Sequence, residues 1–243
     1  MYGKRARIGL IVPSSNTVCE PEMTKLVAKD VATYATRILF EPTIEGLKAM
    51  EAHVEGATKE LSSEGICSII AFCCTVGSMI GGVGYDQELI QLMERTSGVP
   101  AVTTTTAVKA AIAALGVHRI AMATPYTAEI NHMEKDLMEA MGYEVTEIIG
   151  YHEHVSPDEF RNEMIGRLEP EDTYRLGLKV NGSRNQAIFI SCTNLRAIEI
   201  IEPLEQQTGK PVITSNQATM WHALRVLGIQ DSIQGYGHLL EAL

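Results

Sequence analysis

The sequence contains no Cys-x-x-Cys pair, and its seven histidines do not stand at metal-ligand spacing from its five cysteines. Structural zinc sites draw on such closely spaced pairs, so none is expected. The cysteines, Cys19, Cys67, Cys73, Cys74 and Cys192, are odd in number and three crowd into eight positions, which argues against a disulfide framework. His152 and His154, two apart, read as surface residues. No apolar run approaches the ~20 residues of a membrane span. The segment from Met1 to Arg5 lacks an apolar signal region, so a cytoplasmic location and no membrane partner are expected. Basic clusters are missing beyond Lys4-Arg5-Ala6-Arg7 and the formal charge is −10, so no nucleic-acid partner is expected. No phosphate-binding Gly-rich motif ends in Lys-Ser or Lys-Thr, and Gly81-Gly82-Val83-Gly84 has no strand placed before it as a dinucleotide fingerprint requires.

What is present is repetition. Arg7-Ile8-Gly9-Leu10-Ile11-Val12-Pro13 matches Arg119-Ile120-Ala121-Met122-Ala123-Thr124-Pro125 at an offset of 112. The run ending Cys73-Cys74-Thr75 matches the run ending Ser191-Cys192-Thr193 at 118, and Pro100-Ala101-Val102-Thr103 matches Pro211-Val212-Ile213-Thr214 at 111. Ala114-Leu115-Gly116-Val117 matches Val226-Leu227-Gly228-Ile229 at 112. Four matches in one order and at a nearly constant offset identify a duplicated unit of roughly 110 residues.

Each unit alternates short Ile/Val/Leu runs with helical stretches, the pattern of parallel strands buried on both faces in an α/β fold. Helices are expected over residues 21–32, 43–62, 86–97 and 106–115 in the first unit. In the second they are expected over 128–141, 157–167, 170–180, 195–208 and 217–227. Thr43 is the expected N-cap of the second helix, and Gly116 and Gly228 end two others. In open parallel sheets, ligands bind beyond the carboxyl ends of the strands. Pro13 to Thr17, Cys74 to Ser78, Thr124 to Tyr126 and Cys192 to Asn194 all lie there, and pseudo-twofold packing brings them to one cleft between the units.

Cys74 and Cys192 occupy equivalent positions in the repeat, so a paired catalytic role is expected, one thiol on each face of a substrate. The Thr-Val-Gly-Ser turn after Cys74 offers free backbone N–H groups, a cradle for a carboxylate and a positive potential that favours thiolate. Cys67 and Cys73 read as small buried hydrophobes. Side chains alternate along a strand, so only one of Cys73 and Cys74 faces the cleft, and the turn that follows favours Cys74. Asn16 reads equally as a neutral donor to a carboxylate or as a turn or cap residue. Tyr126 either places a phenol in the cleft or packs; Asn162 reads as a helix-surface residue, Asn194 as a helix cap, and Trp221-His222 as core.

These motifs, together with Glu20-Pro21-Glu22, Leu195-Arg196, Ile201-Glu202-Pro203-Leu204 and Ser215-Asn216-Gln217-Ala218, resemble the aspartate/glutamate racemase superfamily, and within it the maleate cis–trans isomerase branch. The resemblance covers nearly the whole chain. It implies two pseudo-symmetric Rossmann-like α/β domains, each with a parallel four-stranded sheet flanked by helices. The first would comprise residues 1–104 plus 216–243 and the second residues 105–215. It implies a cofactor-independent enzyme, without a metal, acting on a small dicarboxylate, with a homodimer or tetramer expected by analogy. By the same resemblance Cys74 is the nucleophile and Cys192 the acid, while Asn16, Thr75, Val76, Tyr126, Asn162 and Thr193 bind substrate. Cys19 departs from the pattern, which has a bulky apolar residue there. The reaction implied is cis–trans isomerisation of maleate through a cysteine adduct. The alternatives are two-base racemisation of an amino acid or hydantoin, decarboxylation of a substituted malonate (which typically uses one of the two cysteines), and non-catalytic carboxylate binding.

Overall fold

The apolar runs pair in parallel, as buried strands of this composition do. The computed structural model describes residues 2–41 and 43–242. The first unit comprises β1 (Ala6–Pro13), α1 (Cys19–Lys25), β2 (Val31–Ile38), α2 (Ile44–Ala49), α3 (Glu51–Ser62), β3 (Ile69–Phe72), α4 (Tyr85–Ser97) and β4 (Ala101–Thr103). The chain then enters α5 (Thr104–Ala114). The second unit comprises β5 (Arg119–Thr124), α6 (Ala128–Ala140), β6 (Glu144–Gly150), α7 (Asn162–Gly166), α8 (Pro170–Val180), β7 (Ala187–Ile190), α9 (Ile201–Thr208) and β8 (Val212–Thr214). It is followed by α10 (Ser215–Val226) and α11 (His238–Ala242).

The two sheets have orders β2-β1-β3-β4 and β6-β5-β7-β8, all parallel. The duplication is visible in their registers. Ile8 pairs with Ile69 and Ile120 with Ala187; Ile70 pairs with Ala101 and Ile188 with Val212. These partners are the residues that the sequence offsets make equivalent. Helices α5 and α10 pack on each other along the seam between the units, and each also touches β4 and β8. The expected domain boundaries at residues 104 and 215 fall at the starts of these two helices. Gly116 and Gly228, at φ of +65° and +73°, end them in the left-handed conformation that glycine adopts without cost.

Several expected helices are shorter. The first stops at Lys25 because residues 31–38 form edge strand β2, whose exposed middle and Thr/Tyr content hid it from a search for apolar runs. The span 43–62 divides into α2 and α3, and the Thr43 hydroxyl caps α2 by accepting from the Gly46 N–H at 3.0 Å. Of 157–167 only Asn162–Gly166 is helical, because Arg161 is extended. The span 195–208 becomes helical only at Ile201, after a single 3-10 turn, Ile198–Ile200. His152, expected on the surface, is buried, with Nδ1 at 2.6 Å from the Pro125 carbonyl and its ring against Phe160. Among the described residues, no helix is long and apolar enough to cross a membrane.

Phe72, the last residue of β3, and Phe189, the next-to-last of β7, are fully buried on central strands of their sheets. Phe189→Ala is therefore expected to cost about 3–5 kcal/mol of unfolding free energy, measured as a lowered urea midpoint; a change within error would place Phe189 outside the core.

Candidate active site

A narrow cleft, partly open to solvent, lies beyond the carboxyl ends of both sheets. Cys74, Thr75 and Val76 reach it from the turn after β3, and Cys192 and Thr193 from the turn after β7. Asn16 enters after β1, Tyr126 after β5, and Asn162 from the first position of α7. The structure thus gathers all eight residues singled out from sequence. The remaining wall is mostly apolar: Pro13, Phe40, Leu47, Ile130, Phe160 and Ile165. Of these the sequence reading placed only Pro13 at the cleft, since single apolar residues on loops and helices carry no signal of their own. Among the described residues, the lining contains no Lys, Arg or His.

The first turn is tight because Gly77 lies against the sulfur. A Cβ at residue 77 would stand 2.8 Å from the Cys74 Sγ, so only glycine lets its N–H approach and bond the thiol. Cys73 points the other way. Its Sγ donates to the Ala71 carbonyl at 3.5 Å and lies beside Cys19 in the core. Alternation along the strand therefore selects Cys74, and Cys19 fills its apolar position as the sulfur partner of Cys73.

The second turn is strained. Cys192 has φ of +108°, a region that non-glycine residues rarely enter. Its N–H donates to the Ser215 Oγ at 3.0 Å, and its Sγ accepts from the Asn194 N–H at 3.3 Å and from the Tyr126 hydroxyl. Cross-unit hydrogen bonds join the turns. The Thr193 hydroxyl donates to the Cys73 carbonyl at 3.1 Å, and the Thr75 hydroxyl to the Ser215 Oγ at 2.9 Å.

Asn16 takes the turn role that the sequence offered and aims its amide at the second cysteine turn. Its Oδ1 accepts from the Val18 and Cys19 N–H groups at 3.0 and 2.9 Å, and its Nδ2 donates to the Thr193 hydroxyl at 3.0 Å. Asn162 donates to the Ser15 hydroxyl at 2.8 Å, and its carbonyl accepts from the Asn194 side chain. Asn194 caps no helix; its Oδ1 instead takes the Thr17 N–H at 2.8 Å.

Burial outweighs these donors at both sulfurs. It pushes the Cys74 thiol up to about 12 despite the Gly77 N–H, and the Cys192 thiol to about 11 despite Tyr126 and Asn194. The thiolate-favouring field expected from the turn is present but smaller than the cost of desolvation, so both groups carry their protons in the free protein. Two buried carboxylates sit behind the second turn. Glu22 of α1 accepts from the Ala197 and Ile198 N–H groups and from the Asn216 side chain. Glu134 of α6 accepts from the Ser191 hydroxyl through Oε1, while Oε2 has no partner. Among the described residues no cluster of three His, Cys, Asp or Glu could hold a metal ion.

Two like α/β units that each deliver one cysteine to a shared, cation-free cleft define a paired-thiol enzyme. The arylmalonate decarboxylase family profile matches residues 8–240, and the chain belongs to that family. It is 28% identical to a maleate isomerase of Geobacillus stearothermophilus, over 98% of each sequence. It is 26% identical to an arylmalonate decarboxylase of Bordetella bronchiseptica, over 96% of each. Its structure superposes with a TM-score of 0.87, at 27% identity and 97% coverage of both chains, on a Cys-to-Ala variant of the maleate isomerase of Pseudomonas putida S16, crystallised with maleate.

Two predictions follow the geometry of the second turn. Glycine ordinarily destabilises relative to alanine, but at a positive φ the order reverses. Cys192→Gly is expected to be more stable than Cys192→Ala by about 1 kcal/mol, read as a higher unfolding temperature; the opposite order would remove the claim of strain. The second concerns Glu134, which burial pushes up to about 7. Its native form holds a proton that the unfolded chain releases near the ordinary carboxylate value. The resulting stabilisation is full below about pH 4.5 and disappears as pH rises through about 7, an effect of about 3 kcal/mol. Glu22, pushed up to about 7 in the same way, adds a like contribution, so thermal melts from pH 5 to pH 8 should show a downward slope that Glu134→Gln roughly halves.

Proposed function

We propose that this protein converts maleate to fumarate through a covalent adduct on Cys74. The observation that carries the reading is the pair of cysteines, one from each unit, on one cleft lined by neutral donors. A cis dicarboxylate presents both carboxylates on one side of its double bond. The turn after β3 offers the N–H groups of Thr75 and Val76 to one carboxylate. The turn after β7, with Thr193 and the Asn16 amide, serves the other.

The reacting form of Cys74 is the thiolate, whose proton passes to solvent through the open mouth of the cleft before addition and returns to the sulfur after the product leaves. Its sulfur forms a bond to C2, and the π pair of the C2=C3 bond moves onto C3 and its carboxylate. Cys192, hydrogen-bonded to Tyr126, gives its proton to C3. The bond is now single and rotates. Cys192 then takes the proton back, the π pair re-forms C2=C3 in the trans geometry, and the Cys74 sulfur departs. Atoms and electrons balance without an external oxidant or reductant, and the apolar wall keeps water from the adduct.

Decarboxylation is the second reading, favoured by the family profile and by the Bordetella relative. The presence of both cysteines counts against it, because a decarboxylase of this type typically uses one. Proton NMR of maleate with the purified protein decides between the two. Fumarate should appear in the wild type, and Cys74→Ala should lose turnover by roughly 10³-fold or more. Absence of fumarate, or its formation by Cys74→Ala, overturns the isomerase reading; loss of a carboxylate from an arylmalonate in the same assay selects the second.

A further inference from the structure

The repeat makes Thr104 and Ser215 equivalent, since each is the first residue of a seam helix, α5 or α10. Their hydroxyls behave differently. Thr104 donates to the Phe72 carbonyl within its own unit, at 3.2 Å. Ser215 is fully buried and accepts twice, from the Cys192 N–H at 3.0 Å and from the Thr75 hydroxyl at 2.9 Å. Both lone pairs of the Ser215 oxygen are thereby used on the two cysteine turns. The strained residue is the one whose N–H it holds, for Cys192 has φ of +108° and Cys74 is not in the positive-φ region.

We infer that Ser215 is a positioning residue that fixes Cys192 opposite Cys74 by tying the strained main chain of one cysteine turn to the threonine of the other. The inference deepens the isomerase reading and rests on it for the roles of the two sulfurs. A residue at positive φ persists only where its surroundings over-determine it. Here the constraint is one buried hydroxyl, supported on the next residue by Asn216, whose Nδ2 donates to the Thr193 carbonyl at 3.0 Å and to Glu22. Without the Ser215 oxygen, the Cys192 N–H loses its acceptor, and the turn can relax toward ordinary φ. The sulfur then leaves the Asn194 N–H and the Tyr126 hydroxyl. The result is a misaimed acid with the carboxylate cradle left in place.

The test compares Ser215→Ala, Ser215→Cys and Ser215→Thr with the wild type. Each is assayed for maleate turnover, and for alkylation of Cys74 and Cys192 by iodoacetamide, resolved by peptide mass spectrometry. Ser215→Ala should lower kcat by roughly tenfold to a hundredfold while KM stays within about threefold. Alkylation of Cys192 relative to Cys74 should rise about tenfold as its sulfur is released. Ser215→Thr, which retains the oxygen, should restore both values. If Ser215→Ala does not fold, Ser215→Cys, nearly the same size but a weak acceptor, carries the same readouts. An unchanged alkylation ratio in the folded variant overturns the inference, as does a kcat loss that Ser215→Thr shares. If the wild type does not isomerise maleate, the functional reading fails, and the alkylation ratio still decides the role of Ser215.

Discussion

Two hydroxyls, those of Thr75 and Thr193, carry the hydrogen bonds that hold the two halves of the cleft in register. Thr193 reaches the Cys73 carbonyl, and Thr75 reaches the oxygen of Ser215. Both donors and both acceptors are buried, so each bond is worth only about 1 kcal/mol when made, while a broken one leaves a desolvated polar group at a cost of about 1–3 kcal/mol. This asymmetry makes the seam specific. Any sliding of one unit on the other strands several buried groups together, including Asn16, Asn194 and Asn216, which also bridge the units. Apolar packing of α5 against α10 brings the units together; the hydroxyls decide at what register.

The cleft that results is neutral where an anionic ligand would need charge. The protein carries a formal charge of −10, and the cleft lining contains no cation. Two further carboxylates, Glu22 and Glu134, stand behind the Cys192 turn, each pushed by burial to about 7. A dianion would therefore be held by amide, hydroxyl and backbone donors without compensation by opposite charge. Such donors do not lower the thiol values as a lysine or arginine would, which is consistent with the protonated state of both sulfurs. The thiolate becomes available only at the cost of desolvation, and enclosure by Phe40, Leu47 and Phe160 raises that cost while excluding water from an adduct.

Much of this was legible in the sequence, for a physical reason. Strands buried on both faces leave unbroken apolar runs, and duplication repeats those runs at a fixed spacing, so the equivalence of the two units was implied by the offsets, though the strand order of their sheets was not. The strand-end rule then put Asn16, Cys74, Tyr126 and Cys192 in one place, and side-chain alternation separated Cys74 from Cys73. Strand β2 was not legible because an edge strand is half exposed and carries Thr33, Tyr34 and Thr36 in place of an apolar run. The segment from Pro157 to Arg161 was read as helix, but its single turn stops at extended Arg161, which leaves Phe160 free to close the cleft. His152 was placed outside because histidine is usually exposed; its bond to the Pro125 carbonyl, next to Tyr126, depends on tertiary contact alone. Ser215 stood in a motif that carried the resemblance, but its bonds to the two cysteine turns were not legible, since a serine at a helix start resembles any capping residue.

Duplication by itself yields two equivalent turns, whereas the proposed chemistry needs unequal ones. The structure breaks the equivalence at few atoms. The first turn has Gly77 against its sulfur and a cysteine outside the positive-φ region. The second has Tyr126 on its sulfur, Glu134 behind Ser191 and a cysteine at φ of +108°. A backbone N–H stabilises negative charge on Cys74 and supplies no proton to it. The Tyr126 phenol that donates to Cys192 keeps its own proton, because burial raises it well above its ordinary value. The two sulfurs thus differ in the donors they meet, the Gly77 N–H at Cys74 against the Tyr126 hydroxyl and the Asn194 N–H at Cys192, and under the proposed chemistry that difference is what separates nucleophile from acid.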